Sequence, residues 1–282
     1  MGAARIGGVA PDARGHLRAA HQSRRGRGGS SLMQAYLTLV RRELAGHFLS
    51  LRGYVIMAGV QFLLGASLCI TLEALNQKPF DMPITEKMPN TGFFWLILLL
   101  VAPVITMRTF AHERAIGTFE TLLTTPISDW AVVLAKFTGA LAFFLLTWLP
   151  ALAYPFILTR YVSGMGAVDL GPLASLIIGI TMLGSFMMAV GCFASALTKS
   201  QIIAAMTSFA ICTGVFLLGF ISVIRPPWIG SRSELFSHLS MLEHMGDFAS
   251  GVVDTRHVVF YASLTALFLF FTQKTISLRR WR

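Results

Sequence analysis

Apolar runs long enough to cross a membrane alternate along this chain with short polar breaks. A bilayer core needs about 20 apolar helical residues. Six stretches answer to that requirement: about Tyr54–Leu75, Phe93–Thr106, Val132–Leu158, Leu173–Leu197, Ile202–Ile224 and Val258–Thr272. The second is short by itself and must borrow from its flanks. Pro150 and Pro155 are expected to bend the third. The fourth carries Gly179, Gly184 and Gly191, with Ser185/Ala189 and Gly191/Ser195 as small-xxx-small pairs. Such pairs let helices approach closely, within one subunit or across a dimer face. The pattern predicts an all-α integral membrane protein with six transmembrane helices.

Three further segments have periodicity of their own. Residues 33–53, MQAYLTLVRRELAGHFLSLRG, place Tyr36, Leu37, Val40, Leu44 and Phe48 on one stripe, with Arg41, Arg42 and Glu43 elsewhere. This predicts an N-terminal amphipathic helix in the interface plane, or an elbow that also meets a cytoplasmic partner. In Met107–Trp130, Ile116, Phe119, Leu122 and Leu123 fall at helical spacing while Glu113, Arg114, Thr118 and Thr121 take other faces. Pro126 stops that helix, and Ser128 and Asp129 can cap the next. The stretch reads as a short docking helix or as an ordinary solvated loop. Residues 225–256 begin with the helix breaker Pro226-Pro227, then set Leu235, Phe236, Leu239, Leu242 and Phe248 on a stripe that Gly251 can end. They predict an outer re-entrant helical segment, which survives at depth only when sheltered by protein.

Composition agrees. A 282-residue chain that is 55% hydrophobic and 13% charged is too apolar for a soluble domain. The net charge of +10 suggests nucleic acid until its placement is considered. Residues 1–32 are rich in Gly, Arg and Ala and read as a disordered basic tail; organised sequence begins at Met33, a candidate natural start. With six spans both ends share a side, which would also hold Arg41, Arg42, Arg52, Arg108, Arg114, Lys136, Lys199, Lys274, Arg279, Arg280 and Arg282. The other side holds Lys78, Lys87, Arg160, Arg225, Arg232 and Arg256. This bias predicts cytoplasmic termini and no nucleic-acid partner. Cys69, Cys192 and Cys212 fall inside apolar runs and read as small hydrophobes.

Little catalytic chemistry is visible. There is no GxxxxGK[ST], so the chain is not expected to bind ATP itself. His112-Glu113 begins an HExxH pattern that fails at Ile116. His238, Glu243, His244 and Asp247 could be drawn as a metal cluster or as polar positions on an interfacial helix. The apolar cores lack acidic and basic residues; Glu73, Lys136 and Lys274 sit near ends, where they are expected to reach headgroups or water. That argues against an ion-driven transporter. No cofactor and no enzymatic activity are expected.

The stretch HERAIGTFETLLTTPISDWAVVLAKFTGAL resembles the cytoplasmic loop of ABC-2-type exporter permeases. Glu113, Gly117, Thr118, Glu120, Leu122, Leu123 and Pro126 match that family's pattern, with Lys136 and Gly139 downstream. The later stretch MLEHMGDFASGVVDTRHVVFYASLTALFLF is similar to the re-entrant region and last span of the gliding-motility-type branch. The resemblance covers roughly Met33–Arg282 and implies a six-span permease domain over 54–282, behind an elbow helix over 33–53. It implies an exporter in the bacterial cytoplasmic (inner) membrane, with membrane lipids around it. Two permease subunits, as a homodimer or homologous heterodimer, would pair around a path flanked by the first and fifth spans. Separate ABC ATPase subunits, which bind the ATP, would dock from the cytoplasm. The segment Glu113–Leu123 would then be a cytoplasmic coupling helix. Its Ile116, Phe119 and Leu123 would bury in the ATPase, Glu113 and Glu120 would order the loop, and Gly117 would permit close helix approach. A metal-dependent membrane enzyme using His238, His244 and Asp247, and a non-transporting scaffold for an ATPase, are the alternatives.

Overall fold

The computed structural model describes residues 33–76, 84–118, 128–161, 169–224 and 238–280. The chain runs through α1 (33–48), α2 (Leu51–Asn76), α3 (Ile84–Asn90), α4 (Gly92–Thr106), α5 (Ala111–Ala115) and α6 (Asp129–Trp148). A 3-10 turn (Leu149–Ala153) links α6 to α7 (Tyr154–Tyr161). There follow α8 (Leu170–Leu197), α9 (Gln201–Ile224), α10 (Met241–Ala249) and α11 (Thr255–Arg280). No strand occurs among the described residues. Six helical stretches are long and apolar enough to cross a membrane: Leu51–Glu73, Gly92–Ala115, Asp129–Ile157, Leu170–Leu197, Gln201–Ile221 and Thr255–Leu278. The second does borrow from its flank, through the turn at 107–110 into α5.

The fourth span, α8, is the centre of the bundle, packing against α4, α6, α9, α10 and α11. Its glycines explain how. A Cβ at Gly179 would lie 2.8 Å from the Phe248 ring of α10; one at Gly184 would collide with the Phe144 ring of α6, and one at Gly191 with Thr106 of α4. Each missing side chain seats a residue of a different helix. Of the two uses open to these small residues, packing within one chain is the observed one. The first and fifth spans are the opposite case, with only 17% and 22% of their apolar windows buried, against 67% for the second and fourth.

Local chemistry sets several ends. Ser128 caps α6 by accepting from the Ala131 N–H, and Ser240 caps α10 by accepting from Glu243. Gly251 follows α10 with φ +92°, the left-handed conformation that ends helices and favours glycine. Three expectations need correction. The segment over 33–53 is not one helix: α1 stops at 48, and at Gly53 a Cβ would strike the His47 carbonyl oxygen, so the chain folds tightly into α2. Leu37 is 56% exposed, whereas Glu43, assigned to another face, is half-buried against the bundle. The segment from Glu113 also does not run on as one unbroken helix: α5 ends at Ala115, and Gly117 (φ +76°) turns the backbone before Thr118; residues 119–127 lie outside the described residues. The tail over 1–32, and Leu235 and Phe236 of the re-entrant stripe, lie outside the described residues.

Candidate functional site

The polar segment after the second span is fastened on three sides. The first fastening is ionic. Lys136, about two turns into α6, is 3% exposed rather than reaching headgroups or water. Its Nζ lies 2.8 Å from Glu113 Oε1 of α5 and 2.9 Å from Glu43 Oε1 of α1, and 5.4 Å from the centre of the Phe110 ring. Arg42 approaches the same two carboxylates at 3.4 and 3.5 Å from the exposed side. A buried ammonium is tolerable only with good geometry and paired charge, and here two carboxylates supply it. One turn along α6, Gly139 lets α1 close in, since a Cβ there would meet Glu43 Cβ at 2.8 Å. Tyr36 Oη and Thr138 Oγ1 hydrogen-bond at 3.1 Å, and His47 stacks on Phe143 at 4.8 Å, so α1 lies along α6 rather than free on the interface. Burial holds the His47 pKa below its ordinary value, against the opposing pull of Glu43.

The second fastening is a pair of reciprocal caps. The Ser195 hydroxyl, at the end of α8, accepts from the backbone N–H groups of Phe110 and Ala111 at 3.0 Å each, and donates to the Met107 carbonyl at 3.2 Å. It thereby caps α5 from another helix. In return, Arg114 of α5 donates to the Ala196 and Thr198 carbonyls, which α8 leaves unsatisfied at its C-terminus. The third fastening is Gln201, first residue of α9, whose amide accepts from Arg108 Nε and pairs with His112 Nδ1 at 3.3 Å. Beside this joint a cavity of about 200 Å³ is lined by Glu43, His47, Arg52, Arg108, His112 and Glu113 among others. Glu113 Oε2 is buried without a partner among the described residues, and a space of that size and polarity accommodates water.

Of the coupling residues expected from sequence, Glu113 is held as described. Ile116, at the C-cap of α5, is 59% exposed. Gly117 has nothing within 4 Å of a Cβ position in this chain, so its φ, and not close approach by a neighbour within the chain, is what requires glycine. Thr118 is exposed and its hydroxyl donates to the Glu113 carbonyl at 3.4 Å. Phe119, Glu120, Leu122, Leu123 and Pro126 lie outside the described residues. The sequence reading missed the roles of Glu43, Ser195 and Gln201. The one available signal was Lys136 itself, a lone cation in an apolar run.

Two members of the drawn metal cluster, His244 and Asp247, are otherwise engaged. His244 is buried and its Nδ1 shares a 3.1 Å hydrogen bond with Tyr261; Asp247 pairs with His257 at 2.9 Å. Among the described residues no three metal-capable side chains converge. Burial, reinforced by His257, lowers the His244 pKa to about 4.

Compared with models of protein families, residues 29–244 match the one described as ABC-2 family transporter protein. A comparison with curated proteins finds no match.

Proposed function

The chain belongs to the ABC-2 transporter family, and from that premise we propose that it is the permease subunit of an ATP-driven exporter whose ATPase docks on residues 113–126. The observation that carries this reading is the joint around Lys136. A segment meant only as a solvated loop has no need of a buried cation holding it to α1 and α6, nor of caps exchanged with α8. A segment that receives a partner's motion needs such ties, because motion reaches the spans only through what is fastened to them. Ile116 stands exposed at the end of α5, and in sequence Phe119, Leu122 and Leu123 continue its apolar pattern.

In this reading, ATP binding closes a pair of ATPase subunits, the docked segments follow, and the spans exchange inward- and outward-facing arrangements. The shift is limited by how much more tightly the ATPase holds one arrangement than the other. The sparsely buried first and fifth spans would face a second permease subunit and the path between them. In this reading the membrane is a bacterial inner membrane and both termini are cytoplasmic, an orientation that the Lys and Arg bias supports. The gliding-motility-type branch rests on the likeness of the 241–270 stretch alone.

The test combines Phe119→Asp with Glu120→Ala in the full chain, co-expressed with its partner ATPase. Loss of permease-stimulated ATP hydrolysis, with normal membrane insertion, is the expected result. Unchanged hydrolysis sinks the coupling assignment. Retained ATPase binding and hydrolysis without cargo movement in the unaltered complex points instead to the scaffold.

A further inference from the structure

A second cavity, of about 50 Å³, lies at the opposite end of the third span from Lys136. Its floor is the buried apolar set Leu64, Leu176 and Ile180; half-buried Leu68, Leu152 and Tyr154 form its rim. Two polar residues in this wall break the usual rule. Trp148 is 3% exposed and Thr85 is 6% exposed, and neither Trp148 Nε1 nor Thr85 Oγ1 has a partner among the described residues. Their neighbours show how such groups are normally satisfied here. Trp95 Nε1 donates to the Pro89 carbonyl at 2.8 Å, Thr147 to Phe144 at 2.6 Å, and Thr91 to Met88 at 2.8 Å. The Trp148 ring is gripped by Phe94 and Phe144, with centroids at 5.3 and 6.1 Å, so it cannot swing freely to find an acceptor. A buried donor without an acceptor is costly, most of all where no water reaches. The two residues that carry these donors come from different elements, α3 and α6, and both line the one cavity.

We propose that this cavity binds the acyl-ester end of a lipid. The carbonyl oxygen accepts from Trp148 Nε1–H and Thr85 Oγ1–H, and the adjoining methylenes lie along Leu64, Leu68 and Leu176. Size limits what enters: an apolar cavity known to hold benzene measures about 150 Å³, three times the space here, so only the ester carbonyl and the carbons beside it are enclosed and the rest of the chain lies out over the rim. The half-buried rim belongs to membrane-spanning helices, where acyl chains are the surrounding solvent. The proposal does not depend on the coupling role given to residues 113–126.

The probe is a phosphatidylcholine carrying a photoreactive diazirine on an early acyl carbon, in vesicles holding the full chain with its partner ATPase. Label is expected on peptides containing Leu68–Thr71 or Leu152–Tyr154. Trp148→Phe keeps the ring and removes the donor, and should cut that label about fivefold, the worth of one hydrogen bond. Thr85→Val is the independent second variant, and Leu152→Trp, at the rim, should block entry altogether. Label that falls during ATP turnover identifies the ligand as cargo; label indifferent to turnover identifies a resident lipid. Label absent from these peptides, or unchanged in all three variants, overturns the site and leaves water as the partner of both donors.

Discussion

Gly139 is the seat of Glu43: a Cβ at position 139 would lie 2.8 Å from Glu43 Cβ. The carboxylate of Glu43 reaches Lys136 because its stem rests on this bare stretch of α6. Gly139→Ala should therefore lift α1 from the bundle. Overpacking of this kind costs roughly 1–3 kcal/mol, and the low end applies because α1 can yield. The measurement is limited trypsin digestion in detergent, with faster cleavage after Arg41 and Arg42 than in the parent chain.

Lys136→Met removes the only described cation buried between Glu43 and Glu113. The two partly buried carboxylates are then left with only the exposed Arg42 beside them, so the cost falls below the roughly 3–5 kcal/mol of a fully broken buried pair. Thermal unfolding monitored by size-exclusion should show the loss. Adding Glu43→Gln and Glu113→Gln should restore much of it, since the whole group, unlike its broken half, is replaceable by neutral side chains.

Gly184→Ala drives a methyl group into the Phe144 ring. The variant should lose about 1–3 kcal/mol. Pairing it with Phe144→Leu should cost less than the two changes summed, the mark of direct contact. Strict additivity in thermal unfolding would place Gly184 at some other interface.

His244 is held neutral by burial, with its pKa near 4 against an ordinary 6.5. His257, Asp247, His238, Asp254 and Tyr261 are the polar groups around it. The unfolded chain thus binds a proton that the folded chain refuses between those two values. Stability should be full above pH 6.5 and should fall as the pH drops toward 4. His244→Gln, which keeps an acceptor for Tyr261, should flatten that slope in a pH series of thermal unfolding.

Much of this architecture could be read from the residues in order. A run of about 20 apolar residues has one stable solution in a bilayer, so four of the six spans fell within a few residues of their expected places, while the second runs on past Thr106 to Ala115 and the sixth past Thr272 to Leu278. Ser128 and Gly251 were legible because a cap or a left-handed turn is decided by its immediate neighbours. The Lys136 joint was not. Lys136 and Glu43 stand 93 residues apart, and whether a cation near a span's end meets water depends on which helix is folded over it. The break between α1 and α2 was hidden for a related reason. The apolar stripe continues through it, and only the approach of the His47 carbonyl to Gly53 reveals it. The turn at Gly117 was not legible either, because a positive φ is a property of the folded backbone that the family pattern does not carry. The α8 glycines carried two readings until their partners, Phe248, Phe144 and Thr106, were visible on other helices.

The exchange of caps between Ser195 and Arg114 has a mechanical corollary. Separating α5 from α8 would strand two amide donors on one piece and two carbonyl acceptors on the other at the same instant. The clasp therefore resists tension from both jaws together. A thrust on Arg114 is delivered to the tail of α8, the bundle's axle, before it can bend the loop that carries it. Whatever grips this segment from outside takes hold of the middle of the molecule by its rim.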